Sequence, residues 1–242
     1  DNMLCTIGLA LNESPLVKVI GLPEPLKIRC ISKGPPLTYH CLRPLQKSIF
    51  KILKSHPAFQ LIGEPQNEGI ITKNFGFLPK DTAFQSGDWS AATDEMYDFA
   101  STYSWDAICQ TMGIPEELRL LGHNALTGHL YEVSGSAYPD ESKGIFPQRR
   151  GQLMGSIISF PILCIVNYCV IRLAQRLCGF KSPLLINGDD NVSSFDSEKH
   201  PEFPEVWAVV GAQFGFNESI GKTYTDNRFI CINSRFYLRT HN

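Results

Sequence analysis

Two adjacent carboxylates, Asp189 and Asp190, follow Asn187 and Gly188, between Leu184-Leu185-Ile186 and a return segment at Asn191 to Ser194. A hairpin tip carrying two acids leaves at least one of them open to ligate a cation. An Asx-rich β-turn has the same composition, so the segment taken alone stays ambiguous. Far upstream, in Gly87-Asp88-Trp89-Ser90-Ala91-Ala92-Thr93-Asp94, Asp88 falls at the end of an expected strand and Asp94 at the start of an expected helix. Asp94 or Thr93 also suits an ordinary helix cap, with Glu95 favouring the dipole. Carboxylates brought together from separate strands fit two-metal in-line displacement at phosphorus, with the ions about 3.5–4 Å apart. Two Mg²⁺ ions suit oxygen ligands with positions left free for phosphate and water, and Mn²⁺ is the alternative.

Phosphoryl transfer also needs cations for a triphosphate. Lys27, Arg29 and Lys33 lie on one extended segment and can supply them, or can guard an edge strand. Gln148-Arg149-Arg150-Gly151-Gln152-Leu153-Met154-Gly155-Ser156 is punctuated by glycine and runs into Ile157-Ile158-Ser159-Phe160-Pro161. Such a loop admits close backbone approach to a ligand and feeds a helix N-terminus; it serves equally as a helix-packing loop.

The elements that must position these groups follow from periodicity. Leu26 to Ile31 reads as a strand stopped by Gly34-Pro35-Pro36, and Pro44 suits the first turn of a helix with Leu45, Ile49, Ile52 and Leu53 inward. A strand is expected around Phe84 to Trp89, then a helix with Met96, Phe99, Tyr103 and Ala107 as its apolar stripe, closed by Gly113 and Pro115. Gly122 to Gly144 reads as a Gly- and Ser-rich stretch with a strand at His129 to Val133. A long apolar helix reaches Cys178, hairpins are expected at Leu184 to Ser194 and Phe229 to Leu238, and Glu205 to Phe214 reads as a helix. This order argues for an α+β fold, an antiparallel sheet backed by helices.

Composition bounds the reading. The chain has 242 residues, 43% hydrophobic, enough to bury a core. The net charge of −2 hides a division: Pro25 to Gly63 holds seven basic residues and no acids, and Asp81 to Leu118 holds eight acids and no Lys or Arg. That pattern suits a site holding both phosphates and divalent cations, and equally two solvated faces. The eight scattered cysteines form no Cys-x-x-Cys pair and the histidines have no zinc-like spacing, so buried free thiols and no zinc are expected. The apolar run Ile157 to Ile171 is shorter than a membrane span, so a buried helix and no transmembrane segment are expected.

Taken in order, the segments resemble motifs F (Lys27 to Lys33), A (Asp88-x₅-Asp94), B (Gly151-Gln152-Leu153-Met154-Gly155 to Ser159-Phe160-Pro161) and C (Gly188-Asp189-Asp190) of viral RNA-dependent RNA polymerases. Lys222, in Gly221-Lys222-Thr223-Tyr224, is similar to the motif D lysine, and Ser234 to Tyr237 resembles motif E. The wording of motifs A and B looks most like the ourmiavirus-like group, near the narnaviruses. The resemblance implies a right-hand palm with part of the fingers and the thumb largely absent. It divides the chain into partial fingers (1–80), palm with motif A (81–112), a fingers insertion (113–147) and palm with motifs B to E (148–242).

The resemblance further implies that Asp88 and Asp189 ligate the ions, with Asp190 a provisional ligand, and that Lys222 acts as general acid toward pyrophosphate. Asp94 and Ser159 would read the ribose 2′-hydroxyl. Asn167, a turn past the Leu163 position where many relatives carry Asn, would join them, and Gly155 would line the nucleotide site. Arg29, with Lys27 and Lys33, would hold the triphosphate. The expected partners are an RNA template, a nascent strand and NTPs, in the host cell cytoplasm, with the mitochondrion as alternative and the oligomeric state open. Three rivals share parts of the pattern: a reverse transcriptase, a non-catalytic RNA-binding module and a metal-dependent phosphoesterase. Asp94 with Ser159 favours ribose over the first, and the full set of carboxylates opposes the second.

Overall fold

The structure, a computed structural model, describes residues 2–64, 68–79, 81–133 and 144–239; the side chains of Lys27 and Val133 fall outside that description. The chain begins with α1 (Asn2–Leu11), β1 (Leu16–Glu24), β2 (Lys27–Lys33) and α2 (Pro36–Ser55), followed by a 3-10 turn (Pro57–Phe59) and α3 (Glu68–Phe75). Next come β3 (Thr82–Gly87), β4 (Trp89–Ser90), the single-turn α4 (Ala92–Glu95), α5 (Asp98–Met112), α6 (Glu116–Leu126), β5 (Leu130–Val133) and β6 (Gly144–Pro147). Helix α7 (Ser159–Leu177) leads into β7 (Leu184–Asn187) and β8 (Asp190–Asp196). Then follow α8 (Phe203–Gln213), β9 (Asn217–Glu218), β10 (Tyr224–Asp226), β11 (Phe229–Ile232) and β12 (Arg235–Leu238).

Two compact units result, Asp1–Ser48 with Met96–Ile162, and Ile49–Glu95 with Leu163–Asn242. The second is built on a four-stranded sheet ordered β10-β3-β8-β7, antiparallel throughout. Every residue of β3 is buried, so this strand is covered on both faces and loses the alternation of a half-exposed strand. Phe84, Leu185 and Val192 from the sheet pack with Leu61, Phe75 and Ile230 into one apolar cluster. Phe75 and Phe84 meet edge to face, with ring centroids 5.7 Å apart.

The first unit carries a sheet ordered β2-β1-β5-β6, in which only β1 and β5 run parallel. Here two sequence expectations need correction. Helix α2 starts at Pro36 and holds Pro44 in its interior. Its first free amides, Leu37 and Thr38, donate to the carboxylate of Glu13 at 3.1 and 2.7 Å, a cap supplied from a distant part of the chain. In α5 the expected stripe is displaced: Phe99 and Tyr103 are exposed, and Ala100, Ser101, Trp105 and Cys109 are buried.

The partner of that face is α6, within a stretch where no helix was expected. Gly122 sits inside α6 because a Cβ there would fall 2.1 Å from Cε2 of Trp105, whose Nε1–H donates to the Arg119 carbonyl at 2.8 Å. The remainder of the Gly- and Ser-rich stretch, 134–143, lies outside the described residues. Three thiols expected to be buried, Cys5, Cys30 and Cys169, are exposed. Both expected hairpins and the α8 helix are present, with Gly113 capping α5 at φ 63°.

By length and composition α7 is long enough to cross a membrane, which the shorter apolar run did not suggest, and 56% of its apolar window is buried inside the fold. Cys164, Val170, Ile171 and Ala174 on it are fully buried, the placement of a core helix.

Candidate active site

Strand β3 pairs with β8 so that Gly87 faces Asn191, and Asp88 emerges one residue further, beside Asp190. Gly87 has no room for a side chain: a Cβ would lie 2.5 Å from Cζ2 of Trp207 and 2.8 Å from Oδ1 of Asn191. Strands β7 and β8 join through Gly188 and Asp189, with Asn187 opposite Asp190. Gly188 has φ 72° and Asp189 does not share that region, the pattern of a type II′ hairpin turn. The local sequence therefore delivers Asp88 from one strand end and the two acids from the adjoining turn. One carboxylate oxygen each from Asp88, Asp189 and Asp190 lies within 4.8 Å of the others, and all three residues are half-buried.

Burial pushes the Asp190 carboxyl up to about 7, and the neighbouring Asp189 and Asp88 charges push it the same way. Asp189 is raised too, by burial first and by the Asp88 charge. The opposing cation is Lys222, whose Nζ lies 3.4 Å from Oδ2 of Asp88. Lys222 is delivered by the register of β10, where Tyr224 faces Ser86 of β3. The loop before it is tied to Asp88, whose carbonyl accepts from the Ser219 amide at 2.9 Å. Three crowded carboxylates and one lysine leave an excess of negative charge that divalent cations suit.

The turn is held from beneath by α7. The Gly188 amide donates to Sγ of Cys164 at 3.3 Å. Nδ2 of Asn167 donates to the carbonyls of Gly188 at 2.9 Å and Asp189 at 3.1 Å, and its Oδ1 accepts from Nε1–H of Trp89 at 2.9 Å. Asn167 is fully buried, with its amide committed to Trp89 and to the turn. Trp89 stacks on Trp207 with centroids 3.9 Å apart and on Phe216 at 5.3 Å. Neither Trp89 nor Cys164 was singled out by sequence; the one available signal was that Trp89 adjoins Asp88.

Asp94 lies in α4, entered through Ala91 at φ 46°, and its side chain is exposed. The remaining candidates belong to the first unit. Arg29 is held by Glu24, Nε to Oε1 at 2.6 Å. Lys33 ends β2 and is exposed; Lys27 faces Glu24 in the ribbon register. Strand β2 grips the glycine loop through Ser32, whose amide and hydroxyl donate to the Met154 carbonyl at 2.8 and 3.0 Å. Gly155 has φ 103°, and a Cβ there would meet the Ser32 carbonyl at 2.5 Å, so glycine is required for this approach. Ser159 is buried and its hydroxyl donates to the Ser156 carbonyl at 3.1 Å. Two glutamines that the sequence reading gave no role of their own brace the loop: Gln152 donates to the Ser159 carbonyl at 2.7 Å, and Gln148 to the carbonyls of Gly151 and Leu126 at 2.7 and 2.9 Å.

No family model matches the chain. It is 31% identical over 235 residues to the RNA-dependent RNA polymerase of Ourmia melon virus (isolate Melon/Iran/VE9), a match covering 88% of this chain. The RNA-dependent RNA polymerase of BmCPV, solved in situ at the elongation state, superposes on 96% of the chain with a TM-score of 0.71 and 12% identity. The chain spans about a quarter of each: 26% of the first and 22% of the second. The α+β palm expected from the motifs is thus the fold observed, and the chain is similar along most of its length to a segment of viral RNA-dependent RNA polymerases, of the ourmiavirus-like type in sequence.

Proposed function

We propose that this chain is the catalytic core of a viral RNA-directed RNA polymerase, performing template-directed nucleotidyl transfer from NTPs by a two-metal mechanism. What carries the reading is the convergence of Asp88, Asp189 and Asp190 from a strand end and a hairpin turn, in a chain related to polymerases. In this reading 1–80 and 113–147 are fingers and 81–112 and 148–242 are palm. The whole enzyme would work in the host cytoplasm on an RNA template and nascent strand.

An all-carboxylate set with an excess of negative charge fits Mg²⁺, which takes oxygen ligands and keeps positions for phosphate and water. Two such ions, when bound, stabilise the attacking 3′-oxygen and the leaving pyrophosphate oxygen of an in-line displacement. Asp88 and Asp189 would hold them, with Asp190 as the provisional third ligand. Lys222 is 73% exposed, so its ammonium can leave Asp88 and give a proton to departing pyrophosphate as general acid. Arg29, with Lys27 and Lys33, would hold the triphosphate, Arg29 exchanging Glu24 for phosphate oxygens. Ser159 donates inward to Ser156 and keeps lone pairs for the ribose 2′-hydroxyl, and Asp94 offers a second acceptor.

The test is primer extension by the longer polymerase containing this segment. Template-dependent incorporation of rNTPs over dNTPs is expected; a clear dNTP preference overturns the reading in favour of a reverse transcriptase, and nucleotide release without synthesis points to a phosphoesterase.

The Asp190 proton gives a further prediction. Binding Mn²⁺ requires that proton to leave, so affinity should rise toward pH about 7, where Asp190 titrates, and level off above it. Below that point the slope approaches about tenfold per pH unit. Calorimetric titration in buffers of different ionisation enthalpy measures both the affinity and the protons released. A profile flat across this range removes Asp190 from the ligand set.

A further inference from the structure

The three acids hang on two separate segments, and a metal site needs those segments in fixed register. Asp88 belongs to the connection between β3 and β4, and Asp189 to the turn between β7 and β8. One buried amide touches both. Trp N–H is only a donor, so the side-chain oxygen of Asn167 must face Trp89 and its NH₂ must face the turn. The oxygen thereby fixes the residue next to Asp88, and the nitrogen fixes the carbonyl of Asp189 itself, at 2.9 and 3.1 Å.

The rest of the turn is anchored to the same helix. Cys164 and Asn167 are three residues apart, on one face of α7, and both are fully buried. Between them they engage the Gly188 amide, the Gly188 carbonyl and the Asp189 carbonyl. Trp89 cannot drift on its side, because Trp207 and Phe216 sandwich its ring, and Gly211 sits where a Cβ would be 2.3 Å from its Cη2. An amide held between an immobilised ring and a tight turn transmits the position of one to the other.

We infer that Asn167 is a positioning residue for the metal site, setting Asp88 and Asp189 at ligating distance from a single buried amide, and that it does not read the nucleotide. The inference rests on the metal reading of the three acids. Outer partners of metal ligands typically contribute about 10–100-fold in metal affinity.

Mn²⁺ binding to the 242-residue chain, followed by electron paramagnetic resonance, tests it. Asn167→Ala should weaken Mn²⁺ about tenfold or more, and Trp89→Phe, which keeps the ring and removes only the N–H, about threefold. The double variant should lose less than the product of the two, since both act through one hydrogen bond. In the longer polymerase Asn167→Ala should leave the rNTP over dNTP preference unchanged. Should Asn167→Ala fail to fold, Trp89→Phe alone decides: weakened Mn²⁺ binding supports the inference and parity with wild type overturns it. Wild type that binds Mn²⁺ with both single variants equal to it overturns this inference alone, as does a changed sugar preference with metal binding intact. Wild type that binds no Mn²⁺ overturns the metal site and this inference with it.

Discussion

Asp189→Ala is expected to reduce nucleotide incorporation by the proposed polymerase about a thousandfold, the rate equivalent of the several kcal/mol that a bound metal contributes to the transition state. The same change should abolish tight Mn²⁺ binding to the isolated chain while leaving it folded. That second half separates chemistry from structure. Asp189 has its carboxyl raised by burial and by Asp88, so its charged form is disfavoured in the fold. A raised carboxyl contributes stability below its unfolded value, near 4, and that contribution is lost as pH rises through the folded value. At pH 8 the metal-free wild type therefore carries an electrostatic cost that Asp189→Ala removes, and its urea midpoint should equal or exceed wild type. Asp190→Asn, which cannot supply a carboxylate, should weaken Mn²⁺ binding and lower activity as well, though by less than Asp189→Ala. Near-normal synthesis by Asp189→Ala would refute the metal assignment, whatever the stability result.

The site was legible in sequence to the extent that it is local. Gly188-Asp189-Asp190 needs only its own turn, and Asp88 needs only the end of β3, so residue type and spacing locate both. What sequence did not disclose comes from partners remote along the chain. Pro44 satisfies the usual rule for a first turn, yet α2 begins at Pro36 because Glu13 caps its free amides. The aromatic spacing of Phe99 and Tyr103 imitates a core stripe. The true inward face is set by α6, which admits Trp105 only through the bare Cα of Gly122. Gly122 counted only as the start of a Gly- and Ser-rich stretch for the same reason: a glycine signals flexibility locally, and clearance only when its neighbour is known. Asn167 is the sharpest case. Only the resemblance to the motif B of viral polymerases placed it with the sugar readers, and its burial against Trp89 and the turn is a fact of tertiary packing.

Trp89→Ala should destabilise the chain by about 3–5 kcal/mol, the range for removing a large buried aromatic whose site cannot collapse. Collapse is blocked here because the indole lies between Trp207 and Phe216, with its N–H spent on Asn167. Trp89→Phe keeps the stack and should cost about 1–3 kcal/mol, mostly for leaving the Asn167 oxygen buried without a donor. Gly211→Ala attacks the same spot from α8, since its new methyl falls 2.3 Å from Cη2 of Trp89. Overpacking of that kind costs about 1–3 kcal/mol, offset in part by the roughly 1 kcal/mol that Ala gains over Gly inside a helix. Combining Trp89→Ala with Gly211→Ala lets the methyl enter space the indole has left. The double variant should therefore be more stable than the sum of the single losses predicts, and about as stable as Trp89→Ala alone. Urea denaturation of the four metal-free proteins measures this cycle. Strict additivity, or a Trp89→Ala loss below about 1 kcal/mol, would mean that the stack does not hold Asp88 in place as the geometry requires.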